Sequence, residues 1–218
     1  SPVGSVLMLS AEDGLADTIR PRLDAAGADC RRIHALTTIR GRDGRLRPFR
    51  LGDGLPMLEE ALDERGDVRL VVIDPVSAYL GGGGVDENKN AEVRGLLSPL
   101  NELANRRGVA VVMVTHLNKG SGTTKAIYRA TGSLAFIAAA RQAWVFLKDP
   151  EDPSGLRRKI LPAKSNIVAE PTGLAYRIVD GAIQWEAAPL NEHADDGLEA
   201  EATRNDRRGR RGPPPIKT

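Results

Sequence analysis

Short apolar runs ending in polar or acidic residues alternate with amphipathic stretches along the first two thirds of the chain. Ser5 to Ser10 reads as a strand, and Ala16 to Ala26 as a helix stopped by Gly27. Ile33 to Leu36 reads as a short second strand, and Thr37 to Gly54 as polar, glycine-punctuated loop. Leu55, Leu58, Ala61 and Leu62 recur at the spacing of one helix face, predicting a helix to Arg65. Val68 to Ile73 is almost continuously apolar and β-branched, the pattern of a strand covered on both faces. Val109 to Thr115 predicts a second such strand, after a helix over Asn88 to Arg107 that contains Pro99 and is closed by Gly108. An alanine-rich helix to about Ala140 follows. Strands are then predicted at Ala143 to Leu147, Lys159 to Ala163 and Tyr176 to Val179, with a hairpin partner at Ala182 to Trp185.

Strand–helix alternation predicts an α/β fold, with a mostly parallel sheet flanked by helices and right-handed crossovers. The later strands are expected to extend one edge of that sheet in antiparallel fashion. From Asn191 an acidic stretch gives way to arginines and Pro213-Pro214-Pro215, so 191–218 reads as a disordered charged tail behind a core of 1–190.

Composition narrows the function classes. With 31 Lys+Arg against 29 Asp+Glu, the net charge of +2 does not by itself mark a nucleic-acid binder. Aromatics are 4% of the chain, which argues against a base-stacking sheet surface. A single cysteine, Cys30, excludes an internal disulfide framework, and three scattered histidines argue against a His-rich metal cluster. No apolar run is long enough for a membrane span and no signal peptide opens the chain, so a cytoplasmic protein is expected.

Ligands of open α/β sheets bind at the carboxyl ends of parallel strands, and three predicted ends carry suitable residues. The first leads into Ser10-Ala11-Glu12-Asp13-Gly14, the second ends in Asp74 and the third in Thr115-His116. A strand-end Asp suits Mg²⁺ beside a nucleotide's phosphates, although Asp74 before Pro75 fits a turn cap equally well. Glu12 suits a water-orienting base; Glu12 and Asp13 also fit loop acids facing a helix N-terminus. His116 suits a phosphate sensor. The glycine-rich basic segment with Lys119 and Lys125 suits a loop touching a phosphodiester backbone, although ordinary surface loops look the same.

Together, Leu7 to Gly14, Val71 to Pro75 and Val112 to His116 resemble successive motifs of RecA-fold AAA-type ATPases, nearest to plasmid RepA-like hexameric replicative helicases and their phage relatives. Gly132-Ser133, the Ala138 to Arg141 helix end, Lys164-Ser165-Asn166 and Thr172-Gly173 continue the pattern, over roughly Ser5 to Trp185. The resemblance implies ATP and Mg²⁺, a homo-oligomer (a hexamer) and single-stranded DNA. It implies Glu12 as catalytic base, Asp74 as the Mg²⁺ acid and His116 as γ-phosphate sensor, with Asp13 beside the nucleotide. Arg141 matches an arginine finger, with a salt-bridged strand-end residue as the alternative. Arg129 is a weaker candidate, and Lys164 is a nucleotide-binding residue that also faces the subunit interface. Lys119, Lys125 and Arg129 are the expected DNA contacts. A recombinase-like or regulatory ATPase and a non-hydrolysing assembly module are the alternatives.

The departure is the phosphate loop: nowhere in the chain is there a G-x-x-x-x-G-K-[ST] sequence. Relatives carry it before the position of Ser5, and this chain begins without Met. The expectation is a piece of a longer ATPase that is not competent alone.

Overall fold

The computed structural model describes residues 3–40, 46–80, 90–117, 125–128 and 134–210. They belong to two compact units, one within 1–117 and 130–139, the other within 118–129 and 140–218.

The first unit opens with strand β1 (Ser5–Ser10), followed by a single π turn and helix α1 (Arg20–Ala25). The predicted α-helix starts in this wider turn because the Gly14 carbonyl accepts from both Thr18 and Ile19 N–H groups, while Pro21 has none to give. Strand β2 (Ile33–Ala35) comes next. The segment expected to be loop instead contains a small antiparallel hairpin of β3 (Thr38–Arg40) and β4 (Leu46–Pro48). It then enters helix α2 (Leu51–Arg65) one turn earlier than the predicted start at Leu55. Arg50 is extended at the N-cap and its carbonyl accepts from Gly54 N–H, so the helix nucleates ahead of the proline.

Strand β5 (Val68–Asp74), helix α3 (Asn90–Arg107) and strand β6 (Ala110–Met113) follow, and helix α4 (Leu134–Ala139) completes the unit. Gly66 and Gly108 end α2 and α3 at φ 70° and 65°, the left-handed geometry that favours glycine at a helix stop. The sheet is entirely parallel, in the order β2-β1-β5-β6.

On one face Leu7, Leu9, Val71 and Ile73 are buried against Leu51, Leu58 and Leu62 of α2 and Val93, Leu97 and Leu100 of α3. Burying each such side chain contributes about 1.5–3 kcal/mol before chain entropy is counted. That packing holds the strand ends rigid. The expectation of double burial fails for β6: it is an edge strand of this sheet, and Val112 stays 47% exposed.

The second unit is a separate antiparallel sheet rather than an extension of the first. Its order is β10-β9-β8-β7, from β7 (Gln142–Lys148), β8 (Arg157–Ser165), β9 (Leu174–Val179) and β10 (Ala182–Trp185). Among the described residues no strand pairing joins the two sheets. At the β7–β8 turn, buried Asp149 receives ion pairs from Arg157 and Lys159, which also reach Glu186 and Glu192.

The charged stretch read as a tail forms helix α5 (Ala194–Arg210). Ala194 and Leu198 are fully buried, and Gly197 lies against Leu147 and Leu161, with no room for a Cβ. The acids placed there by composition begin the helix: Asp196 accepts from His193 N–H at 3.0 Å, and Asp195 from Ala126 N–H at 2.7 Å. Arg204 donates to the Pro150 carbonyl. Residues 211–218, with the prolines, lie outside the described residues.

Candidate nucleotide-hydrolysis site

Parallel register fixes the site. Ser10 pairs with Asp74 and Ile73 with Met113, so three strand ends finish at one edge of the first unit. Past the strands the backbone stays coupled. Ala11 N–H donates to the Asp74 carbonyl at 3.0 Å, Val114 N–H to Ile73 at 2.9 Å, and Val76 N–H to Val114 at 2.9 Å. Glu12 and His116 are thereby delivered from rigid strands by one and two linking residues respectively.

Their side chains meet: His116 Nε2 lies 3.4 Å from Glu12 Oε1. Both are open to solvent, at 62% and 59% of side-chain surface, so the contact orients the pair without locking it. Asp74 is half-buried. Burial, and then the negative charges of Glu12 and Asp13, raise its carboxyl above the ordinary aspartate range, with His116 opposing. A hard cation at this point relieves that strain, and oxygen donors from one or two carboxylates are the usual protein share of a Mg²⁺ site. Among the described residues no group of three or more His, Cys, Asp or Glu could hold a metal ion.

Asp13 is drawn elsewhere, to Arg22 of α1 at 2.8 Å. That ion pair separates two adjacent acids that the sequence treated together. Two participants had no signal in the sequence. Arg22 holds Asp13, and Tyr79, in the short turn Val76–Tyr79 after β5, is buried within electrostatic reach of Asp74. The ring of Tyr79 packs edge-on against Phe49, centroids 6.1 Å apart, and its phenol is pushed up by burial and by Asp74.

Arg141 and Lys164 lie in the second unit. Arg141 is exposed just before β7, and its carbonyl accepts from Asn166 N–H at 2.8 Å. Lys164 Nζ donates to the Ala140 carbonyl at 2.8 Å, fastening that end of the β7–β8 pair. Lys125 is exposed beside the Ala126–Tyr128 turn. Lys119, Arg129 and Gly132-Ser133 lie outside the described residues. Chemically, the first unit offers two carboxylates, Glu12 and Asp74, and an imidazole, His116, at one sheet edge.

Comparison with known proteins agrees with this layout. The profile of a family described as an AAA domain matches residues 2–122, which carry all three strand ends. No curated protein matches the sequence. Among solved structures, the crystal structure of the RadB recombinase is similar at a TM-score of 0.55 and 16% identity, covering 83% of this chain and 78% of that one. The shared fold is RecA-like. No helix among the described residues is long and apolar enough to cross a membrane.

Proposed function

The chain belongs to the AAA domain family, and from that premise we propose that it is part of an oligomeric RecA-like ATPase coupling ATP hydrolysis to DNA, in the manner of plasmid and phage-type replicative helicases. The observation that carries this reading is the meeting of Glu12 and His116 at 3.4 Å beside the end of the strand that bears Asp74.

In this reading Glu12 accepts a proton from the attacking water and orients it in line with the γ-phosphate. Asp74 and the phosphates would hold Mg²⁺, which when bound neutralises charge gathering on the phosphate oxygens. His116 donates to the γ-phosphate, and in doing so leaves Glu12 free for the water. Occupancy is thus reported through one side-chain contact. Arg141 reaches the nucleotide of the neighbouring subunit in a ring, a hexamer in the relatives it resembles, and Lys164 steadies that interface through Ala140. Lys119, Lys125 and Arg129 are the proposed contacts to single-stranded DNA, and the cytoplasm is the compartment.

The phosphate grip itself, a glycine-rich loop with its lysine, is not in these 218 residues. The test is therefore Mg·ATP turnover by protein expressed from the complete reading frame, with and without single-stranded DNA. DNA-stimulated turnover supports the reading, and no turnover under either condition overturns it. The likeness to a recombinase fold favours one second reading, an ATPase that pairs strands without unwinding them. Forked-duplex unwinding against strand-exchange activity separates the two.

A further inference from the structure

Positive charge is concentrated at one place in the chain. From Thr37 to Arg50 there are five arginines and one acid, a net +4, so the remaining 204 residues carry −2 between them. Arg40 lies on β3, Arg47 on β4, and Arg50 ends the return into α2. Where arginines crowd elsewhere in this unit, acids crowd with them. Arg20 and Arg22 face Asp24 and Asp13, Arg31 and Arg32 share Asp29, and Arg106 and Arg107 share Glu59. The hairpin's own sequence supplies only Asp43, and exposed Arg50 makes no ion pair among the described residues.

The fold fixes where this charge sits. β2 runs parallel to β1, with Ala35 in register with Met8, and Leu36 N–H donates to the Met8 carbonyl at 2.8 Å. The chain therefore leaves β2 at the carboxyl edge of the sheet, the edge where β1 leads to Glu12. Both feet of the hairpin are anchored. Leu36 packs against the core, and Phe49 is 1% exposed with its ring edge-on to Tyr79. Between these feet β3 and β4 pair only with each other among the described strands. Register sets Ile39 opposite Arg47 and Arg40 opposite Leu46, so one arginine position falls on each face of the ribbon.

Cations on two faces and at a foot are too dispersed for one phosphate group, since the three residues from Arg47 to Arg50 alone can span about 10 Å. They suit a polymer that carries a phosphate at every residue. The ribbon residues Thr38–Arg40 and Leu46–Pro48 include no ring on which a base could stack, so the contact is to the backbone and independent of base sequence. We propose that the β3–β4 hairpin is an arginine arm that holds the phosphodiester backbone of single-stranded DNA, through Arg40, Arg47 and Arg50, at the edge of the candidate hydrolysis site. Guanidinium groups bind phosphate oxygens in bidentate fashion. The choice of DNA rests on the reading above, whereas the arm is a site separate from Lys119, Lys125 and Arg129.

Fluorescence anisotropy of labelled oligo-dT with the 218-residue chain, without nucleotide and from about 50 to 200 mM salt, tests it. Each phosphate contact to a single strand contributes about 0.7 to the slope of log affinity against log salt. Arg40→Gln, Arg47→Gln and Arg50→Gln together should make that slope shallower by about 2 and weaken low-salt binding about tenfold or more. If the triple variant loses its native circular dichroism, Arg50→Gln alone, at an exposed position, should still shift the slope by about 0.7. Lys119→Ala with Lys125→Ala separates the two sites. Binding that vanishes in this pair but stays parental in the arginine variants overturns the arm and leaves the DNA reading standing. No binding of oligo-dT by the parent chain also overturns the arm, the DNA reading being decided by DNA-stimulated turnover. So does poly-glutamate that displaces the oligonucleotide at equal charge concentration, which would assign the hairpin to an acidic protein.

Discussion

Replacing Glu12 by Gln separates a chemical role from a structural one, because the structure makes this carboxylate nearly irrelevant to stability. Its side chain is 59% exposed, and its one side-chain partner among the described residues is His116 at 3.4 Å, itself 62% exposed. Exposed pairs of this kind contribute about 0–1 kcal/mol, and for a chain of this length that shifts Tm by no more than about 2–4 °C. The kinetic consequence is of another order. An amide cannot take the water's proton, and a positioned general base contributes about 10²–10⁴-fold to turnover, or about 3–5 kcal/mol of barrier. Phosphate release, fluorescent-nucleotide binding and thermal unfolding are measured together on protein from the complete reading frame. The expected result is a Tm within that small margin, binding kept, and turnover down by at least a hundredfold. Parental turnover would move the base elsewhere. A large fall in Tm accompanying lost turnover would make Glu12 a structural residue and refute the reasoning.

Asp74→Asn should raise Tm slightly at neutral pH, by about 1–3 °C, yet weaken Mg²⁺-dependent nucleotide binding. Asp74 titrates above its unfolded range, so its charge erodes folded-state stability as pH climbs from ordinary aspartate values through the raised one. The asparagine variant should lack that erosion, which thermal melts across acidic pH will show. The 218-residue chain alone should bind Mg·ATP poorly, for want of a loop of backbone amides and a lysine; micromolar affinity by calorimetry would contradict this. Leu58→Ala, at a side chain 1% exposed under the parallel sheet, should cost about 2–5 kcal/mol in denaturant unfolding.

Strand ends were legible in the sequence because doubly apolar runs stop sharply at polar residues, and register then carries the chemistry with them. Ser5–Ser10 and Asp74 fall where the pattern put them, and the Glu12–His116 meeting follows from parallel pairing alone. What escaped was set by tertiary context. The α5 acids look like a solvated run until Ala194 and Leu198 find the second sheet, and their helix-capping role emerges only with it. Arg22 and Tyr79 left no trace, because ion pairs and phenol placement across a turn have no period to read.

The central claim, a hydrolytic site completed between subunits, is tested most directly by mixing two inactive variants of the complete-frame protein. Arg141→Ala removes a guanidinium expected to supply about 10³-fold or more to turnover, and Glu12→Gln removes the base. In mixed oligomers some interfaces join an intact Glu12 to an intact Arg141 from the neighbour, and ATP turnover should recover in part as the ratio approaches parity. Mixed oligomers that demonstrably form without recovery would contradict completion between subunits, and normal turnover by Arg141→Ala alone would remove that residue from the site.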